Sequence, residues 1–462
     1  MSKTSIDRLR EYLAQLPPQS QALLMREYER SIARGEDIAV ANFVLDQLRG
    51  VVRGSENAVR PRVEDPTRLV FKSLEPFLVE GVGPVRPGQI RRASLLPVWQ
   101  WLERDAAAAV AEFEAAIGGS PEPGAAEIER AVRKLQQAAA DLIINITTPG
   151  PNNRGSSRIG PPHAVEDLPG IGAVLKAREP LDAFAGKLPS VLRTFGDSQI
   201  ASVSSALNLP SLVTPQVLPF ALSLVMHRLA APWQIIRLAV KIAASDDEIR
   251  VAATSYGVAV TMALADLSRV AANLRTDIKR GKFDTAPELL KTAHDGVRGL
   301  RTELDMRNDS VWGRQMAAIR VDISSTLQSE IESVPGRVRR LLRQRADKDI
   351  SPTAHIDPVD VDETVALINF VAVCRTYASE LAINEVTLRT YSDLQQYVEK
   401  STEALVQSLR AGDARVRAYR QMQARAAIRF CQQLFGQEYA ALMDRAAESA
   451  MAVVERKPKK AG

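Results

Sequence analysis

The chain has 462 residues, of which 45% are hydrophobic, 25% are charged and only 5% are aromatic, and its net charge is +5. One hydrophobic core rarely grows past roughly 250 to 300 residues, so more than one packed unit is expected. The shortage of aromatic residues disfavours a β-sandwich or β-barrel, and the abundance of Ala and Leu favours helices. The composition therefore predicts an all-α protein.

The first 147 residues predict a small domain of short amphipathic helices. One helical pattern ends at Pro17, a second ends at Gly35, and a third follows over about 36–52. Two further helices are expected over 96–113 and 127–146. The segment 148–163 is rich in Pro, Gly, Asn and Ser, which predicts a flexible linker.

The next segment, 164–244, is apolar and punctuated by prolines. Its longest uncharged stretch, 198–226, contains Pro210, Pro215 and Pro219, which would interrupt the hydrogen bonds of a membrane-spanning helix. We therefore expect no transmembrane span, and predict short buried helices or turns. A surface that contacts protein or lipid is the alternative for this stretch.

A short motif lies within this segment, Leu168-Pro169-Gly170-Ile171-Gly172. It resembles the hairpin of helix-hairpin-helix DNA-binding motifs, whose glycines let backbone N–H groups approach a phosphate. The match covers about ten residues and departs from the family at Lys176 and Pro180. Without the resemblance, the motif predicts a turn between two helices.

From residue 245 the pattern changes to long helices with few prolines. Ser245 and Glu248 fit a capping box, and apolar residues at helical spacing predict one helix from there to Gly281, about 50 Å long. Ser310 is expected to begin another helix that kinks or breaks at Pro335.

Three more helices are predicted in the last hundred residues. The acidic residues Asp360, Asp362 and Glu363 are expected to lie at the start of one helix, and the others cover about 385–410 and 413–455. Long helices joined by short turns pack most simply as antiparallel neighbours. We therefore expect an elongated bundle of long, mostly antiparallel helices over 245–455, followed by a basic tail at 456–462.

No catalytic, nucleotide-binding or cysteine-pair motif occurs in the sequence, and no cofactor is expected. His355 with Asp357, Asp360 and Asp362 would offer metal ligands, but acidic residues are also typical of a helix N-terminus, so no metal site is predicted. The glycine-rich segment 81–88 is interpreted as a structured turn. His227 is expected to be a core or interface residue.

Cys374 and Cys431 lie in apolar stretches and are expected to be buried hydrophobic side chains. Residues 1–10 are charged and lack the apolar region of a secretory signal. The cytoplasm, a reducing compartment, is therefore the expected location.

The excess of positive charge is concentrated in the C-terminal third. On a helical wheel, Val416, Phe430 and Leu434 form an apolar stripe, and the arginines around them occupy the remaining faces. Such faces would bind a polyanion or a partner, although a solvated helix face and the general preference of the chain for Arg over Lys explain them as well. The candidate surface residues are Arg337, Arg339, Arg340, Arg343, Arg415, Arg417, Arg420, Arg425 and Arg429.

The leading hypothesis is a non-enzymatic interaction or scaffold protein that uses long helices to bind a protein partner or a second copy of itself. The first alternative is a nucleic-acid-binding protein acting through the arginine-rich helices. The second is a peripheral protein that binds an anionic membrane surface through the same helices and the apolar stretch 198–226.

Overall fold

The computed structural model describes residues 65–81, 83–118, 125–148, 159–283, 285–351, 353–411 and 416–455, together with Ser20 and Leu24. Apart from Ser20 and Leu24, the helices predicted before residue 53 lie outside these residues, as do most of the predicted linker, Arg415 and the basic tail. Helices make up most of the described chain, and its named strands are only two residues long. The all-α prediction is confirmed.

The chain divides into two compact units. The first consists of Met1–Lys72 and Trp99–Ala139, and the second of Ser73–Val98 and Ala140–Gly462. The predicted domain boundaries near 147, 163 and 244 stay predictions. The described helices that contribute to the first unit are α1 (Pro66–Phe71), α2 (Leu95–Asp105), α3 (Ala107–Gly118) and α4 (Ala125–Thr147).

The core of the first unit is built by aromatic and aliphatic side chains. The ring of Phe71 meets that of Trp99 edge to face, with 6.3 Å between centroids. The buried amide of Gln136 donates to the carbonyl oxygen of Val70 at 2.6 Å, which satisfies a polar group inside this core. The helix predicted over 96–113 is divided between α2 and α3, whereas α4 matches the prediction for 127–146.

The second unit begins with two short strands, β1 (Leu78–Val79) and β2 (Ile90–Arg91), which pair in parallel with Leu78 opposite Ile90. Its helices follow in chain order: α5 (Pro162–Lys176), α6 (Arg178–Lys187), α7 (Asp197–Leu207), α8 (Leu218–Arg228), α9 (Ile236–Ala243), α10 (Glu248–Ala252), α11 (Val258–Lys279), α12 (Ala286–Glu303), α13 (Val311–Leu342), α14 (Pro358–Tyr377), α15 (Asn384–Ala411), α16 (Arg417–Phe435) and α17 (Gln437–Glu455).

The uncharged stretch 198–226 forms α7, a turn and α8. The predicted burial holds for α8, whereas α7 buries only Ile200, Val203 and Leu207. Every residue from Leu218 to Met226 is buried. No helix of the described residues is long and apolar enough to cross a membrane. The apolar side chains of α8 pack against the rest of the second unit.

The single long helix predicted from Ser245 is wrong, because the chain folds there as α10, a 3-10 turn at Ser255–Gly257, and α11. The residue that caps α10 is Asp247, whose carboxylate accepts from the N–H groups of Ile249 and Arg250. Glu248 does not complete a capping box, since its carboxylate instead accepts from the backbone N–H of Arg307 at 2.8 Å.

Pro335 does not end α13, which continues over 32 residues. Val334 and Val338 on either side of it are fully buried, and this packing outweighs the hydrogen bond that a proline removes. The start predicted at Ser310 is confirmed, since its hydroxyl accepts from the N–H of Gly313 at 2.9 Å. The helix predicted over 413–455 is divided at Gly436, whose φ of 93° ends α16.

Candidate functional site

The predicted arginine-rich surface lies at the C-terminal end of α13 and along α16. Part of it is neutralised by carboxylates from the first two turns of α14. These ion pairs join Arg337 to Glu363 at 3.5 Å, Arg340 to Asp360 at 3.9 Å and Arg429 to Asp362 at 2.7 Å. Since the carboxylates offset three of the candidate arginines, the surface is less cationic than the sequence suggested.

Arg420 is not on a cationic face, which corrects the wheel-based prediction. Its residue is only 6% exposed. The guanidinium donates to the carbonyl oxygen of Arg345, to Asp347 at 3.1 Å and to Gln423 at 3.3 Å. A positive group at the C-terminal end of α13 is favoured by the helix dipole and by the carbonyl groups left there without helical partners.

Gln423 completes this cap one turn further along α16. Its buried amide nitrogen donates to the carbonyl oxygens of Leu341 and Arg343, each at 3.1 Å. Arg420 and Gln423 therefore fasten the end of α13 to α16, across more than 70 residues of sequence. We name these two residues the α13 cap.

Four candidate arginines have no carboxylate partner among the described residues: Arg339, Arg343, Arg417 and Arg425. The guanidinium carbon of Arg339 lies 5.7 Å from the ring centroid of Tyr397. The Nε atom of Arg417 is buried and has no hydrogen-bond partner in the described part of the chain. The apolar stripe predicted on α16 consists of Val416, Tyr419, Ala426, Phe430 and Leu434, of which all are buried except Tyr419, which is half-buried.

A buried polar cluster around Arg91 was not anticipated from the sequence. The guanidinium donates to four acceptors, which are Gly83 O at 2.8 Å, Asp167 at 2.9 Å, Glu166 at 3.0 Å and His163 O at 3.2 Å. Asp167 also accepts from the hydroxyl of Ser94 at 2.7 Å. The cluster ties β2 to α5, and no local sequence pattern marks Arg91 as different from the neighbouring Arg92.

A second buried cluster fixes the glycine-rich segment 81–88, which is a structured turn as predicted. Arg86 forms an ion pair with Asp266 at 3.0 Å and donates to the hydroxyl of Ser223 at 2.9 Å. Burial lowers the pKa of Arg86, and the neighbouring Asp266 opposes that shift. Ser223 donates in turn to the carbonyl oxygen of Gly88 at 2.9 Å. Both arginine clusters use their polar groups to join elements of the fold.

The motif at Leu168–Gly172 is not a hairpin or a turn, since it lies inside the continuous helix α5. Its two glycines allow close packing. A Cβ atom on Gly170 would lie 3.0 Å from the Phe220 ring, and one on Gly172 would lie 2.7 Å from Ile143. These backbones face side chains of the same unit, which leaves no space there for a phosphate.

Most of the potential metal ligands have structural roles, and the two thiols are buried. Asp357 caps α14 by accepting from the N–H of Val359 at 2.9 Å. Among the described residues, no group of three or more His, Cys, Asp or Glu side chains could hold a metal ion. Cys374 and Cys431 are buried and free, as predicted. His227 is exposed rather than in the core.

One cleft of the described surface contains an ion pair that joins two helices. This cleft of about 310 Å³ is lined by Trp233, Arg237, Glu303 and neighbouring residues of α12. There Arg237 forms an ion pair with Glu303 at 2.6 Å and stacks over Trp233, with 5.5 Å to the ring centroid. The cleft is lined by neither histidine nor cysteine.

The outer face of α13 is exposed along most of the helix. Along it lie Arg314, Ala318, Val321, Ser325, Gln328 and Glu332, and all six residues are exposed. We name these residues the α13 seam. Val321 is 65% exposed, and Val311 at the start of the helix is 71% exposed. Apolar periodicity in the sequence identifies the buried face on the other side of α13. It therefore did not predict the α13 seam.

Comparisons with known proteins add no relative. No family model, no curated protein and no solved structure matches this chain. The fold and its surfaces define the chain as an all-α protein, and the geometry described above is the basis for any statement about its role.

Proposed function

We propose that this chain is a non-enzymatic interaction or scaffold protein that binds protein through the α13 seam. The observation that carries the proposal is that α13 exposes a face about 27 Å long, from Arg314 to Glu332, with four uncharged residues between its charged ends. Small and apolar side chains on such a face let another helix approach closely.

The disposition of the other polar groups supports the same proposal. The buried arginines Arg86, Arg91 and Arg420 hold elements of the fold together. Half of the eight described candidate arginines have carboxylate partners, including Arg420 with Asp347, which weakens the case for polyanion binding. The free thiols of Cys374 and Cys431 fit the reducing conditions of the cytoplasm, which we propose as its location.

A single charged substitution in the α13 seam tests the proposal. Val321→Arg places a long cationic side chain in the middle of the seam, and because Val321 is 65% exposed the fold should be unaffected. The matched control is Leu442→Arg, which introduces the same side chain at a 52% exposed position on α17.

Tagged wild-type protein and both variants would be purified from the native cells at physiological salt, with nuclease treatment. Proteins retained in near-stoichiometric amounts would be quantified by mass spectrometry, and the mass of the purified protein would be measured by light scattering. We expect Val321→Arg to lose a protein partner or self-association that Leu442→Arg retains. Identical partners and mass for all three proteins would contradict the proposal.

A further inference from the structure

The α13 seam is a straight stripe along one face of the helix. Its six residues follow one another at intervals of four, three, four, three and four positions. The mean spacing of 3.6 residues is the period of a straight α-helix, so the six side chains stay on one face of α13 over five turns. The face opposite is occupied by the buried residues of α13, so the helix has a second, unpartnered contact face.

The charges of the seam are arranged symmetrically. Arg314 and Glu332 are 18 positions apart, which is five helical turns, so both side chains leave the helix in the same direction. Their midpoint is the level of Ile323. Arg314 has no carboxylate partner among the described residues. Glu332 forms an ion pair with Arg389 at 3.4 Å and accepts from the amide of Gln328 at 3.2 Å, but its side chain stays 44% exposed and can meet a second cation.

We propose that two copies of this chain associate through the α13 seam, with their α13 helices antiparallel about a two-fold axis at the level of Ile323. The inference rests on the proposed use of this face. Arg314 then lies opposite Glu332 of the partner subunit at both ends of the contact, and Val321 lies opposite Ser325 of the partner subunit near the axis.

The charges at the two ends of the α13 seam favour a second copy as the partner and an antiparallel arrangement of the two helices. A parallel pair would place Arg314 against Arg314 of the partner subunit and would also bring the two Glu332 carboxylates together, which is repulsive at both ends. The antiparallel pair makes both ends attractive. A seam with one positive and one negative end is self-complementary, whereas a nucleic acid or an anionic membrane would be attracted at one end and repelled at the other.

The middle of the seam permits close approach. Ala318, Val321 and Ser325 are small, so the two helix axes can come to about 8 Å, the lower end of the usual range for packed helices. The contact between the two helices is short and its ion pairs are exposed. The charges therefore determine how the helices align, but they add little to the affinity of the dimer. The dimer is therefore expected to form reversibly as concentration rises.

Charge exchange on the full-length protein tests this arrangement. Arg314→Glu makes both ends of the seam negative, and Glu332→Arg makes both ends positive. Each single variant should weaken self-association about tenfold or more, since two attractions become two repulsions. An equimolar mixture of the two single variants should associate again, because each copy then presents the opposite charge to the other at both ends.

Association would be measured by sedimentation velocity up to about 1 mM protein, with circular dichroism to show that each variant is folded. Arg389→Gln serves as a control for the loss of the intrachain contact of Glu332 and should leave association intact. Wild-type protein that stays monomeric over this range overturns the inference, as does a mixture of single variants that associates no better than either alone.

These results are distinguishable from failure of the proposed function. A monomeric wild type, together with loss of a different protein by Val321→Arg but not by Leu442→Arg, rejects the dimer and supports a heterologous partner on the same face. A monomeric wild type with identical partners for both of those variants rejects the inference and the proposed function together.

Discussion

Replacing Arg420 by Met should destabilise the second unit while leaving its helices able to form. Met keeps most of the length of the aliphatic stem but removes the guanidinium that donates to Arg345 O, Asp347 and Gln423. The carbonyl oxygen of Arg345, three residues beyond the end of α13, then loses its positively charged partner, and Gln423 alone remains of the α13 cap.

The size of the effect follows from these contacts. A hydrogen bond from a charged group contributes about 1.5 to 3 kcal/mol to the free energy of unfolding. The three hydrogen bonds of Arg420 together set the upper limit of the expected loss. Two facts reduce it: the Asp347 side chain is 43% exposed and can be solvated, and the buried Nε of Arg420 has no partner among the described residues. We expect a loss of about 2 kcal/mol in the free energy of unfolding.

Urea unfolding followed by circular dichroism measures this loss. The free energies of unfolding of wild type and variant are compared provided that both depend on urea concentration with the same slope. Arg425→Met is the matched control, since Arg425 is an exposed arginine of the same helix and should change the stability by less than about 0.5 kcal/mol. Equal midpoints for the two variants would show that the contacts of Arg420 contribute no net stability.

Two further predictions concern the second unit. Gly88→Ala should cost about 2 to 4 kcal/mol, because its φ is +77° and a Cβ atom would lie 2.2 Å from Pro219 O. Gly81→Ala, at φ +90° with nothing within 4 Å of its Cβ, should cost only the backbone strain of about 1 to 2 kcal/mol, and equal melting temperatures would contradict the argument. Burial raises the pKa of the Cys374 and Cys431 thiols, so a thiol reagent at pH 8 should modify neither in native protein and both in denaturant. A rapidly modified native thiol would show that one of them is accessible.

Local sequence patterns were enough to predict the helical class and several helix ends. Ser310 caps α13 as its hydroxyl chemistry suggested, and α15 covers almost the range expected from its apolar spacing. These features depend on neighbouring residues, so a single sequence contains the necessary information. The same is true of Gly436, whose helix-ending role was missed only because apolar periodicity continues past it.

Features that depend on distant residues were not predictable in this way. The break between α10 and α11 follows Ala252, although periodicity continues across it. At that break Gly257 lies close to Trp312, whose indole N–H donates to Thr261 at 3.1 Å. Similarly, a helical wheel cannot show that Arg420 meets the end of α13, because that contact spans 75 residues of sequence. Tertiary packing decides both cases.

The Arg91 cluster has a consequence for how this chain tolerates substitution. Its guanidinium reaches Gly83 O, His163 O, Glu166 and Asp167 from three nitrogen atoms, whereas the single nitrogen of a lysine could not span the same acceptors. The chain prefers arginine to lysine throughout its sequence. At Arg91 this preference has a geometric cause, because only a guanidinium can reach all four acceptors. Replacement of arginine by lysine is neutral over much of a protein surface. At Arg91 in β2 the same replacement would be selected against.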